Sequence, residues 1–295
     1  MVGTKTFSGI VALLALCGCS TPGANPPIHV GSKNFTEQVV LGEIIAQHLE
    51  HRLHQTVERS LNLGGTLLTQ QALVTGQIDL YPEYTGTALT AILKNPPGKD
   101  PTTVLARVRS EYLQKFQAEW LDPLGIDDTF AMVVKGSEAR AENLETLTDA
   151  SRTPEAWTLG VGYEFEQRPD GLQALENVYH LRWKGAPKTM DLGLLYKAME
   201  QGQVTMIAAN STDGLLSKMD VRVLRDDKHA FPPYQVCIVA RQKALKDVPG
   251  LREALVELSG KISNQQMQNL NFQVDVQHRS VGQVAGEFLR QAGLE

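Results

Sequence analysis

Apolar and polar positions alternate along this chain in short strand-like and longer helix-like stretches that follow one another throughout. Ile28-His29-Val30-Gly31 has the pattern of a short strand. Beyond it, Leu41, Ile44, Ile45, His48, Leu49 and Leu53 share one helical face, and Asn34 with Glu37 has capping-box spacing at its start. A glycine turn at Leu63-Gly64-Gly65-Thr66 precedes a helix over 67–75. The run Ile78 to Tyr81 predicts a strand stopped by Pro82, which has no N–H for a sheet ladder. Gly86-Thr87 then opens a helical segment with Ala88, Leu89, Ile92 and Leu93 inward. Residues 94–101 read as a surface loop. The spacing predicts a long helix over 102–120, with Val104, Leu105, Val108, Tyr112, Leu113 and Phe116 inward. Residues 124–128 read as a turn into the buried strand 129–134, and 143–150 as a short helix. Val236-Cys237-Ile238-Val239 is a further buried strand.

The chain also repeats itself. Residues 194–206 lie on 68–80 without a gap, so that Leu68 meets Leu194, Ala72 meets Ala198, Gly76-Gln77 meets Gly202-Gln203 and Ile78 meets Val204. In that register Tyr84 falls opposite Asn210 and Thr85 opposite Ser211. Val30-Gly31 and Val161-Gly162 form a second echo, each a strand end before a polar turn. Two copies this far apart predict two similar lobes rather than an array, with equivalent loops facing across a cleft.

Composition narrows the function classes. Over 295 residues, 42% are hydrophobic and 21% charged, an ordinary globular balance. A formal charge of -5 without a basic block excludes nucleic acid as the main partner. At the N-terminus Lys5 precedes an apolar run from Ile10 to Leu16, too short to span a bilayer, and Leu16-Cys17-Gly18-Cys19 resembles a bacterial lipobox. The expectation is a lipoprotein signal peptide over 1–18, lipidation at Cys19, and a tether over 19–27. Cys237 is then the one cysteine of the folded part, a small core residue that leaves no internal disulfide.

Candidate chemistry is sparse. His48, His51 and His54 are spaced three apart, which turns the third ring away from the first on a helix, so no metal site is expected. Asp79 and Glu83 form the nearest carboxylate pair, but no Ser-His-Asp, Cys-His or metal constellation accompanies them, and both read as solvated. No enzyme activity and no cofactor are expected. Lys33, in contrast, sits at a strand-to-helix turn, where backbone N–H groups already favour an anion.

The motifs Gly31-Ser-Lys-Asn-Phe-Thr-Glu-Gln38, Leu63-Gly-Gly-Thr66, Tyr81-Pro-Glu-Tyr-Thr-Gly-Thr87, Arg168-Pro-Asp-Gly171, Ser211-Thr-Asp-Gly214 and Phe231-Pro-Pro-Tyr234 occur in this order. Together they resemble the solute-binding proteins of osmoprotectant ABC transporters, the glycine betaine, carnitine and choline class, across the whole mature chain. The resemblance implies an α/β, two-lobed type II periplasmic-binding-protein fold with a ligand cleft between lobes. Lobe one would comprise 28–129 plus 235–295, and lobe two 130–234. It also implies a cage for a trimethylammonium head at Tyr84, Phe130, Asn210 and Tyr234, helped by the Asp128 carbonyl. A carboxylate clamp would be formed by Lys33, Thr87 and Arg168. Aromatic faces suit a quaternary ammonium because it has no N–H to donate, at roughly 0.5–2 kcal/mol per good face. The sequence departs from the family at Phe130 and Asn210, where tyrosines are usual; the first keeps the ring and the second loses it. Asn210 can instead hydrogen-bond a group that glycine betaine lacks, and Tyr163 is a candidate replacement ring that reads as a surface residue. The implied partners are a small zwitterionic ligand and an ABC permease with its ATPase, with a monomeric protein held to the membrane by its lipid alone. The same fold also serves as a ligand-delivering sensor.

Overall fold

The computed structural model describes residues 26–295. The expected signal peptide, the expected lipidation at Cys19 and most of the expected tether lie outside the described residues. Among the described residues ten strands form two five-stranded sheets. The first contains β1 (Ile28–Gly31), β2 (Val57–Ser60), β3 (Leu80–Tyr84), β4 (Ala118–Asp127) and β10 (Gln235–Arg241), in the order β2-β1-β3-β10-β4. The second contains β5 (Phe130–Lys135), β6 (Leu159–Val161), β7 (Lys188–Thr189), β8 (Met206–Asn210) and β9 (Val221–Leu224), in the order β7-β6-β8-β5-β9.

The two sheets have one topology. In each, three strands run parallel (β2, β1, β3 and β7, β6, β8) and the next two are added antiparallel. The internal repeat therefore falls on equivalent elements. Helix α2 (Thr66–Thr75) leads to β3 in one copy, and helix Leu195–Glu200 leads to β8 in the other. Each connection turns on a glycine with positive φ, Gly76 and Gly202, the conformation that a tight helix exit requires.

Helix α1 (Thr36–Leu53) packs Leu41, Ile44, Ile45 and Leu49 against the first sheet. His48 is buried on this face and both ring nitrogens meet backbone carbonyls, of Leu294 at 3.0 Å and Ala254 at 2.9 Å, while His51 and His54 are exposed. Cys237 is buried in β10, and burial pushes its thiol up to about 12. No helix among the described residues is long and apolar enough to cross a membrane.

Four expectations fail locally. α1 has an extended Phe35 at its N-cap and no side-chain cap bond, so the Asn34–Glu37 capping box does not form. Pro82 lies inside β3, opposite Ile238 of β10. β1 reaches β3 only at Val30–Leu80, so the missing N–H falls on the side where that ladder has already ended. Helix α4 (Pro101–Phe116) stops before Trp120, which belongs to β4, and Leu113 is 40% exposed. Residues 124–127, expected as a turn, are the end of that long strand.

Candidate functional site

Strand direction decides which residues meet between the sheets. Tyr84 ends β3 and Asn210 ends β8, whereas Phe130 begins β5 and Tyr234 directly precedes β10. Because β10 and β5 run antiparallel to β3 and β8, their amino ends lie beside the carboxyl ends of those strands. Phe130 and Asn210 are direct ladder partners. Lys33 follows β1, Thr87 sits in the helical turn α3 (Thr85–Thr87), Asp128 links β4 to β5, and Arg168 closes helix Tyr163–Gln167. A cavity of about 540 Å³ is lined by all eight expected residues, Lys33, Tyr84, Thr87, Asp128, Phe130, Arg168, Asn210 and Tyr234.

Inside that cavity cations and rings are interleaved rather than separated. Lys33 Nζ stands 4.9 Å from the Tyr84 ring centroid, and the Arg168 guanidinium stands 5.2 Å from Phe130 and 5.7 Å from Tyr234. Phe130 also meets Phe165, Phe231 and Tyr234 edge-on, at 4.8, 5.5 and 5.5 Å. Phe35 stacks on Tyr84 at 6.2 Å. Tyr163 lines the cavity but is 58% exposed, as a rim residue is.

Each cation already has an internal carboxylate. Lys33 Nζ donates to Glu83 Oε1 at 2.5 Å, with both side chains almost fully buried. Glu83 also accepts the Tyr84 N–H at 2.7 Å and the Tyr81 hydroxyl at 3.1 Å. Its expected solvated role is overturned: it neutralises the lysine beneath the cleft floor. Asp79, its companion, instead accepts the His29 N–H at 2.9 Å and stays outside the site. Arg168 holds Asp170 through two bonds, Nε–Oδ1 at 2.9 Å and Nη2–Oδ2 at 2.5 Å. Burial raises the Asp170 carboxyl, but the Arg168 charge together with the hydrogen bonds from Arg168 and Tyr234 leaves the group below its usual range. The Tyr234 hydroxyl donates to the same carboxylate at 2.7 Å. Among the described residues Arg168 Nη1 has Glu164 at 3.6 Å and no hydrogen bond, and so retains N–H capacity.

A second group of cavity side chains is acidic. Glu37 accepts the Tyr84 hydroxyl at 2.7 Å and the Thr212 hydroxyl at 2.6 Å. Asp128 Oδ1 accepts from Ser211 and Thr212, both at 3.1 Å, so its side chain acts here as well as any carbonyl role. Asp213 Oδ2 accepts the Tyr196 hydroxyl at 3.0 Å and the Asn210 N–H at 3.2 Å. Burial pushes Glu37 up, raises Asp128 well above its usual range with help from the Glu37 charge, and lifts Asp213 to about 7.

Protein groups also bridge the two sheets' layers. Glu164 accepts the Thr66 N–H at 2.5 Å and the Thr66 hydroxyl at 3.0 Å, placing a carboxylate at the N-terminus of α2. Burial raises its carboxyl, but the Lys33 charge, the Thr66 bonds and the Arg168 charge together hold it below the usual carboxylate range. Thr212 contacts Glu37, and Asn271 Nδ2 donates to Thr212 O at 3.0 Å. Of these, Glu37, Glu83, Glu164, Asp170 and Asp213 were not expected at the site. All but Glu164 stand within recognised motifs. Glu37 looked like a capping residue, and Glu164 carries no signal in the sequence.

Two sheets of one topology, facing a cleft of aromatic, cationic and hydroxyl side chains, define a two-lobed binding protein of the type II periplasmic class. A family model for the substrate-binding domain of the ABC-type glycine betaine transport system matches residues 26–291, and the chain belongs to that family. The carnitine transport binding protein of Listeria monocytogenes is 32% identical over 287 residues, 95% of this chain and 93% of that one. An ergothioneine transport permease/ergothioneine binding protein of Helicobacter pylori is 33% identical over 269 residues; the match covers 91% of this chain and 48% of that protein, about half its length. A crystal structure described as a glycine betaine/carnitine/choline ABC transporter superposes with a TM-score of 0.76 at 30% identity, covering 90% of this chain and 99% of that one.

Proposed function

We propose that this protein is the extracytoplasmic, lipid-anchored binding component of an ABC importer, capturing a small quaternary-ammonium zwitterion such as glycine betaine or carnitine. The observation that carries this reading is the grouping of the Tyr84, Phe130 and Tyr234 rings around one cavity with Thr87 and Arg168. The rings take the methylated cation by their faces. The ligand carboxylate meets Arg168 Nη1 and the Thr87 hydroxyl. Lys33 contributes as a field from beneath, because its ammonium is bonded to Glu83.

In this reading the lobes are residues 28–129 plus 235–295 and 130–234, with the ligand bridging them and favouring closure. The protein works as a monomer, without a cofactor, handing its solute to a permease driven by an ATPase. Cys19 anchors it by a lipid to the outer side of the membrane. A specific feature favours a second ligand within the same function: Asn210 presents an amide where a ring is usual, which suits a zwitterion bearing an extra hydrogen-bonding group, such as ergothioneine. A thermal-shift and calorimetric titration with glycine betaine, carnitine, ergothioneine and choline tests both. A betaine-type zwitterion raises the melting temperature with occupancy. Choline bound more tightly than every carboxylate-bearing compound refutes the zwitterion.

A further inference from the structure

Phe130 differs from the Tyr84 and Tyr234 rings in how it is held. The two tyrosine hydroxyls are bonded to Glu37 and Asp170, whereas a phenylalanine ring has no polar atom to fix it. Its orientation rests on packing, with Phe165, Phe231 and Tyr234 edge-on to it. Phe231 lies between β9 and β10, where residues 226–231 belong to no strand or helix.

Two side chains take the place of a ladder in fixing that segment. Asp226 Oδ1 accepts the Tyr179 hydroxyl and, at 2.9 Å, the Ala230 N–H, and Oδ2 accepts the Phe231 N–H at 3.0 Å. The Tyr179 oxygen in turn accepts the Lys228 N–H at 2.6 Å. Three backbone donors thus end on one Asp–Tyr clasp, anchored at the end of helix Leu172–Tyr179. Ala230 and Phe231 are buried, so their N–H groups have little water to turn to and hold the segment to the carboxylate. Burial and the bond to Asp226 push the Tyr179 phenol up, which keeps it a donor. Neither Asp226 nor Tyr179 lines the cavity.

We propose that Asp226 and Tyr179 are positioning residues for solute capture: by fixing Phe231 they hold the unanchored Phe130 ring with its face toward the ligand's cation. The proposal rests on the quaternary-ammonium reading above and extends it beyond the cavity wall. A ring attracts a cation by its face and not by its positive edge, so a ring free to turn loses part of the contact. Asp226→Asn sets an amide NH2 either against the Phe231 N–H or against the two donors on the other oxygen, and in both cases one side of the clasp opens.

A double-mutant cycle with Phe130→Leu tests this on the full chain, by isothermal titration with the tightest-binding of glycine betaine, carnitine and ergothioneine. In the parent, Asp226→Asn should weaken binding by about two- to thirtyfold, the worth of one aromatic face. In the Phe130→Leu background, which has no face to lose, the same change should alter affinity by less than about twofold. A merely structural role weakens binding equally in both backgrounds, and that result overturns the proposal, as does unchanged binding in folded Asp226→Asn. Tyr179→Phe, which removes only the bridging hydroxyl, is the second variant should the first fail to fold, with melting curves for all. If the parent binds none of the three compounds, the quaternary-ammonium reading fails and the positioning role falls with it. If the parent binds one and the two changes are additive, the positioning role alone is lost.

Discussion

Glu83→Gln isolates the charge beneath the cleft floor. The substitution keeps the side-chain volume and an oxygen for the Tyr84 N–H, and removes only the negative charge facing Lys33 at 2.5 Å. Lys33 and Glu83 are 2% and 0% exposed, so neither is rescued by water. Breaking a buried pair in this way costs about 3–5 kcal/mol. The charges of Glu164 and Glu37 also act on Lys33 and soften the loss, which places the expected value near the lower end of that range, about 3 kcal/mol. Urea unfolding followed by tryptophan fluorescence reads this directly. Replacing both partners by apolar residues, Lys33→Met with Glu83→Leu, should recover stability to within about 1 kcal/mol of the parent, since the desolvation cost leaves with the charges. Binding should move the other way in Glu83→Gln. An ammonium freed from its carboxylate turns to the ligand, so glycine betaine should gain up to about tenfold, or ~1.4 kcal/mol, relative to choline, which has no carboxylate. A stability loss below about 1 kcal/mol, or no change in that ratio, refutes the pairing as the reason Lys33 is silent toward the ligand.

Three further outcomes follow from the same geometry. Asn210→Tyr restores a ring beside Phe130 and should strengthen glycine betaine binding by about 0.5–2 kcal/mol in a fluorescence titration; weaker binding would deny Asn210 a place on the cage wall. Burial lifts Asp213 to about 7, so folded protein holds a proton that unfolded chain releases near its ordinary value of 3.8. Its contribution to stability is thus full below about pH 4 and lost as pH rises through about 7, and Asp213→Asn should flatten that part of the melting-temperature profile. An unchanged slope would locate the proton elsewhere. Glu164→Gln should weaken the cap on α2 and enlarge the radius of gyration measured by small-angle scattering, whereas identical scattering curves would deny the contact any part in closure.

The fold was legible because the periodicities were clean and because one half of the chain echoed the other. The register that set Tyr84 against Asn210 placed both at the ends of equivalent strands, β3 and β8. β4 escaped notice for a physical reason. Helix α4 ends at Gln117, held at positive φ, without the glycine or asparagine that usually marks such an exit. Trp120 continues the helical spacing of Tyr112 and Phe116, while Pro123 and Gly125 disguise a strand as a turn. Pro82 misled in the opposite sense, since a strand may carry proline once its neighbour's ladder has ended.

At the site, the family resemblance named eight residues that all line one cavity but was silent about their pairings. Glu83 neutralises a lysine 50 positions away, and Glu164 reaches a threonine 98 positions away. Such long-range partners leave no local trace. The resemblance located residues that line one cavity, and the pairings determine how much charge each has left to offer.

The Glu164–Thr66 contact consists of protein atoms alone, and its free energy therefore favours approach of the lobes equally in loaded and empty molecules. Only a molecule with its cleft open admits solute. If that contact and its neighbours keep nine empty molecules in ten shut, capture proceeds about ten times more slowly than diffusion and docking allow, with the rate of release slowed as well. In that case Glu164 would trade speed of loading for retention of whatever the cleft holds.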